Sequence, residues 1–242
     1  SVPIELFINA QANNYTKELK LFLTLKLIYP NGKAKLNNTD LLFIEYISQI
    51  KSRKTTKKHI SFLLEISWLT YNSKTQYYNI KSFDKIRQEN EFNVRLAYPI
   101  NFTNINNIQA VTGAVIYGYL HKDFWRNVKR QKSVHIKGST YHFLSLKYNY
   151  KEQPAPVSVI GVQKIFNIST ATASRLKNAA AKHKLISLKK NYSKKAINKY
   201  AAEMYCKLND LKPNIVYHNN KYHLQLIDTI YPLFYFTKRK SL

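Results

Sequence analysis

Between Gln153 and Ala202 the chain carries ten Lys or Arg residues and no Asp or Glu. At the centre of that stretch, Ser169, Thr170, Thr172, Ser174, Arg175, Lys177, Asn178 and Lys182 recur at intervals that bring them to or near the open side of one helix. Their chemistry is that of contact with a polyanion. A Ser hydroxyl at a helix start, with the free backbone N–H groups there, receives a phosphate. A guanidinium such as that of Arg175 pairs bidentately with O6 and N7 of guanine in the major groove. A Lys ammonium is a point charge suited to phosphate. A second cluster, Lys51, Arg53, Lys54, Lys57 and Lys58, lies in the first third of the chain, with Lys74 in a turn beyond it. A third is Arg126, Lys129, Arg130 and Lys132.

Groups that converge for catalysis are missing from the pattern. The acidic residues are scattered, without the Asp-x-Asp or Glu-x-x-Asp cluster of a two-metal nuclease or transposase. His218 and His223 stand near a strand pair, but no His-x-His or His-Glu-x-x-His motif occurs. Nineteen tyrosines offer many nucleophiles, yet the seven arginines supply no Arg-His-Arg set around a phosphate, so tyrosine is better explained as strand and core filling. Five glycines, none clustered, make no phosphate-cradling loop, and the single Cys206 excludes an internal disulfide or a cysteine zinc cluster. No enzyme activity, metal or cofactor is expected.

The charge is extreme: 39 basic against 13 acidic residues, a net +26. It is also uneven, with 15 basic and 8 acidic residues in 1–99 against 24 and 5 in 100–242. Such a surplus opposes compaction by self-repulsion and calls for an anionic partner. Double-stranded DNA is the expected one. No apolar run reaches the ~18 residues that span a bilayer, so no membrane is expected. RNA would favour exposed aromatic platforms of the Gly-Phe-x-Phe kind, which do not occur. The excess of Lys over Arg, with abundant Asn, Ile and Tyr, reads as the codon bias of an AT-rich genome, bacterial or mobile-element. It also weights the surface toward phosphate attraction. A cytoplasmic, nucleoid-associated location is the matching expectation.

Two modules must position these residues. In the first, residues 14–86, the pattern predicts a helix over Thr16–Ile28 capped by Thr16, a turn at Pro30-Asn31-Gly32, and an extended Lys33–Leu36. A helix capped by Asn38 follows, with Leu41, Ile44, Tyr46 and Ile47 inward. A third helix is capped by Thr55, with Ile60, Leu63 and Leu64 inward. The runs 67–71 and 76–80 then form a hairpin. This order resembles the winged-helix family, which implies that the third helix enters a major groove while the hairpin wing touches backbone.

Residues 87–106 are expected to be a linker. The second module, 107–235, opens with a helix over Asn107–Phe124 in which Gly113 and Gly118 permit close packing. Strands are expected at Val134–Ile136 and Tyr141–Leu146. The stretch VSVIGVQKIFNISTATASRLKNAAAKHKL then resembles a helix-turn-helix. Val159, Val162 and Phe166 line its first helix, Asn167 takes the left-handed turn position, and Ser169 caps a second helix that buries Ala173, Leu176 and Ala180. Leu185–Leu188 reads as a wing strand, Ser193–Leu208 as an inserted helix, Tyr222–Leu226 as a return strand and 236–242 as a basic tail.

The expected fold is α+β and mainly helical, with two winged-helix modules. Such tandems resemble plasmid and phage replication initiators, which implies sequence-specific duplex binding in replication initiation. Transcription regulation is a near alternative, and coating or packaging of DNA or RNA without sequence preference is a third. The pattern leaves the oligomeric state open.

Overall fold

The computed structural model describes residues 1–131, 133–142, 153–196, 198–208 and 215–239. It is an α+β fold with small antiparallel sheets. The first part of the chain runs β1 (Val2–Pro3), α1 (Ile4–Ala12), α2 (Thr16–Ile28), β2 (Lys33–Ala34), α3 (Asn38–Ser48), α4 (Arg53–Glu65), β3 (Leu69–Asn72) and β4 (Tyr77–Ile80). It continues through α5 (Phe83–Glu89), β5 (Leu96–Tyr98) and α6 (Phe102–Ile105) into the long α7 (Ile108–Gln131). After it come β6 (Ser133–Ile136), β7 (Ser139–His142), β8 (Ala155–Pro156), α8 (Val159–Phe166), α9 (Thr170–Lys182) and β9 (Ile186–Lys189). The last elements are β10 (Tyr192–Ala196), α10 (Lys199–Leu208), β11 (Ile215–His218), β12 (Lys221–Gln225), β13 (Thr229–Pro232) and β14 (Thr237–Lys238).

One arrangement occurs twice. A helix, a short strand, two helices and two strands come in the order α2-β2-α3-α4-β3-β4 and again in the order α7-β8-α8-α9-β9-β13, the second with β6-β7 and the elements β10 to β12 interposed. The strand orders match as well, β2-β4-β3 and β8-β13-β9, with the last strand central in each sheet. The resemblance extends to single residues. A buried alanine sits in each first strand, Ala34 and Ala155, followed three residues later by the helix caps Asn37 and Ser158. Left-handed residues close the next helix in both, Gln49 and Asn167. Ser67 and Lys184, both left-handed, then release the third helix into its strand.

Several local expectations shift. Asn37, not Asn38, caps α3: its side chain accepts the Asp40 N–H at 2.8 Å while the Asp40 carboxylate accepts the Asn37 N–H at 3.2 Å. Leu41 and Ile44 face inward as expected, joined by Ser48, whereas Tyr46, two residues and about 200° round the helix from Ile44, is 80% exposed. α4 begins at Arg53 behind Ser52, two residues before the expected cap Thr55, and neither Thr16 nor Ser52 caps through its side chain. The expected helix over 193–208 is divided into β10 and α10, because β10 pairs with β12. β12 therefore does not return to β9; that place is taken by β13. The expected strand residues Phe143–Leu146 lie outside the described residues. Of the expected tail, Thr237 and Lys238 pair with β5, and Arg239 reaches Asp84 at 2.6 Å.

The expected linker 87–106 is structured. Ala97, Tyr98 and Ile105 are buried in it, and β5 runs between β1 and β14. Its hydrophobes are what place it: a chain of such residues gains more from the core than from water. α7 finishes the join. Ile108, Val111 and Val115 enter the core of the first repeat, while Ala114, Ile116 and Tyr117 enter that of the second. Gly113 lets α9 come close, since a Cβ there would collide with the Leu176 carbonyl, whose carbon stands 2.7 Å away, and would lie 3.3 Å from the Ala180 Cβ. At Gly118 a Cβ would lie 2.8 Å from the Phe234 ring.

Two glycine substitutions separate packing from helix propensity. Ala in place of Gly favours an unhindered helix interior by about 0.8–1 kcal/mol. Gly161→Ala in α8, whose added Cβ meets nothing nearer than 3.7 Å, should be neutral or stabilising in denaturant unfolding. Gly113→Ala should instead lose at least about 2 kcal/mol, because backbone must move to admit the methyl. Equal effects at the two sites would mean that α7 and α9 do not cross as described.

Candidate nucleic-acid interface

α4 and α9 occupy the same place in the two repeats, and both are 13 residues long. Their buried positions coincide. Counted from the helix start, Thr56, His59, Ile60 and Leu63 of α4 match Ala173, Leu176, Lys177 and Ala180 of α9. Each helix therefore turns the same stripe to its core and the same stripe to solvent. On α4 the outward residues are Lys54, Lys57, Lys58 and Ser61, ending at Glu65; on α9 they are Thr170, Ala171, Arg175 and Asn178. Lys51 is exposed ahead of α4, and Lys182 is exposed in the last turn of α9.

The start of α9 carries a short hydrogen-bonded chain. Ser169 accepts the Thr172 N–H at 3.2 Å and donates to the Thr172 hydroxyl at 2.9 Å. The Arg175 guanidinium donates to that same hydroxyl at 3.1 Å. Arg175 is thus laid along its helix beside the exposed N-terminal turn, where the helix dipole is positive. Ser174 is half-buried, like Thr172.

The remaining expected residues lie off these two exposed stripes. Arg53 is half-buried, its Nε donating to Glu45 at 2.7 Å and its Nη atoms reaching Asn38 of α3. It ties α4 to α3. Lys74 is exposed in the β3–β4 turn, where the Asn72 side chain accepts its N–H at 3.0 Å. Arg126 is exposed and paired with Asp123. Lys129 and Arg130 lie in the last turns of α7, and Lys132 is outside the described residues.

Lys177 does not reach the open face expected of it. Its side chain is 9% exposed and pairs with Asp228, itself 4% exposed, so it points into the protein and not toward a groove. Leu176 and Ala180 mark the inner stripe, and Lys177, four residues after Ala173, falls at its edge. The Gln225 side chain donates to the same carboxylate at 3.4 Å, and the Asp228 carbonyl accepts the Val157 N–H at 3.1 Å. Nearby, Tyr117 of α7 donates to the Ala173 carbonyl at 3.0 Å. Burial, and then the Asp228 carboxylate, push its hydroxyl well above the ordinary tyrosine range, which keeps it a donor. The seat of α9 is a buried polar network joining α7, α9 and the approach to β13.

Among the described residues, no three His, Cys, Asp or Glu side chains are grouped as metal ligands. No described helix is long and apolar enough to cross a membrane. The basic pair Lys189-Lys190, exposed at the end of β9, is not in the expected set; two lysines closing a β-rich run are the signal for it. No family model matches the chain, and no curated protein or solved structure matches it. The surface itself therefore carries the functional reading.

Removing one partner of a buried pair strands the other charge, at about 3–5 kcal/mol. Lys177→Ala should lose that much in denaturant unfolding, and Lys177→Met with Asp228→Leu should recover most of it. Folded Lys177→Ala protein should keep the salt dependence of any nucleic-acid binding. A shallower salt slope with unchanged stability would return Lys177 to the surface.

Proposed function

We propose that this protein binds double-stranded DNA through two winged-helix modules, with α4 and α9 as the helices that enter successive major grooves. The observation that carries this reading is the repeated arrangement on a chain of net charge +26. Both third helices turn the same stripe to solvent, and its only acidic residue is Glu65 at the very end of α4. A major groove about 12 Å wide admits such a helix. The β3–β4 hairpin, with Lys74 at its tip, serves as the wing of the first module.

The two helices divide the work. The outward cations of α4 are lysines, which attract phosphate and carry little sequence information. α9 offers Arg175, Asn178 and Thr170, groups that can pair with base edges, behind an N-terminal turn suited to a phosphate. This composition supports a sequence-specific binder, in replication initiation or transcription regulation of a mobile element, over a uniform coat.

A panel of duplexes tests the division. Arg175→Ala should cost about 1–3 kcal/mol on a selected site and much less on random sequence. Lys54→Ala, Lys57→Ala and Lys58→Ala together should weaken both alike and lower the salt slope by about 0.9 for each phosphate that is no longer neutralised. Selection from a random library, followed by footprinting, checks the rest: one protected sequence fits the proposal. Uniform protection with no enriched site would favour coating or packaging.

A further inference from the structure

The second repeat carries two insertions that the first lacks, β6-β7 between α7 and β8 and a longer one between its last two strands. Where β3 and β4 are joined by the turn 73–76, β9 and β13 are joined by residues 190–228, which build β10, α10, β11 and β12. This insertion forms its own sheet, ordered β10-β12-β11. Its neck is fixed. The Asn191 side chain donates to the Ile227 carbonyl at 2.8 Å, and the Leu226 N–H donates to the Asn191 carbonyl at 2.9 Å. Between the neck and the sheet lies a cleft of about 1160 Å³.

The cleft has two kinds of wall. Lys189 and Lys190 stand exposed on its rim. Tyr192 and His218 line its side as a stacked pair, ring centres 4.5 Å apart and planes within 17°. Asn219 and Asn220, both left-handed, make the tight turn that returns the chain after His218. Leu226 and Ile227, 46% and 55% exposed, form an apolar floor. The cleft is open to solvent and unlike the enclosed pocket that buries most of a small molecule, which suits an extended occupant.

We propose that this cleft binds unpaired nucleotides of single-stranded DNA, as a site separate from α4 and α9. The rim cations match the phosphates, and the stacked rings and hydrocarbon floor match exposed base faces. Cations beside aromatic platforms are the general means of holding single strands. A duplex keeps its base faces stacked inside, so its backbone would leave the apolar floor wet. The segment 186–225 holds eight Lys and two acidic residues, so the surroundings attract the same polyanion.

The test uses the full chain, a dT12 oligonucleotide carrying one 5-iododeoxyuridine, and a 30-base-pair duplex of random sequence. Protein saturated with duplex should still take up dT12, and photocrosslinks should map to Tyr192 or His218. Lys189→Ala with Lys190→Ala should weaken dT12 binding about tenfold and lower its salt slope by about 1.4, while duplex affinity changes less than threefold. Complete displacement of dT12 by duplex, crosslinks confined to α4 or α9, or a double variant that binds dT12 like the parent would each overturn the proposal. A protein that binds dT12 through the cleft but no duplex would sink the duplex reading and leave this one standing.

Discussion

The close approach of α7 and α9 at Gly113 is the constraint on which the rest depends. α7 is buried along most of its first three turns, and it is the only described helix that contributes buried residues to both hydrophobic cores. Its two faces hold different partners. For α9 to lie against it, one residue must lack a Cβ, and its neighbours must be small. Gly113 and, facing it on α9, Ala180 meet that need, while Tyr117 reaches the Ala173 carbonyl one turn further along α7. Enlarging any of these would move α9, and with it every outward residue the helix presents.

The two repeats solve the same problem with different chemistry. At the eighth position of the third helix the first uses Ile60, whereas the second uses Lys177 paired with Asp228. An apolar residue there buries area; a buried ion pair contributes little net stability but fixes geometry if both partners are hydrogen-bonded. Asp228 stands where the insertion rejoins the sheet. Charge and backbone thus meet at one point: the seat of α9 and the exit of the inserted unit share a carboxylate. The proposed single-strand cleft and the proposed groove-facing helix are both built outward from that point.

How much of this was legible in the residues depends on range. Asn167 announced a left-handed turn because few side chains tolerate one, and Ser169 announced a cap because its hydroxyl replaces a missing acceptor. Those are local rules. Gly113 was legible as a site of close packing, although not the carbonyl it would meet. Lys177 was not, because its partner is 51 residues away and a Lys in an acid-free run reads as solvated. Tyr46 misled for a different reason: its ring suggested burial, but two residues beyond Ile44 it lies about 200° round the helix, off the inward stripe. The strand pairings of the insertion were illegible because β10 has no local feature that distinguishes it from a helix start; only β12, some thirty residues on, makes it a strand.

The sheet β1-β5-β14 has a metrical consequence. Its middle strand comes from between the repeats and its outer strands from near the two ends of the chain, so Val2 and Thr237 lie on either side of one backbone. A pair of modules on a flexible cord would accept targets at many separations, each at a slightly different entropy. Here the beginning, middle and end are laced together, and α7 is common property. The distance and rotation between α4 and α9 are then set by the protein as in a rigid caliper. If both helices sit on one double helix, the two sequence elements they meet must keep a single spacing and phase. Any misfit would be taken up by twist or bend in the DNA.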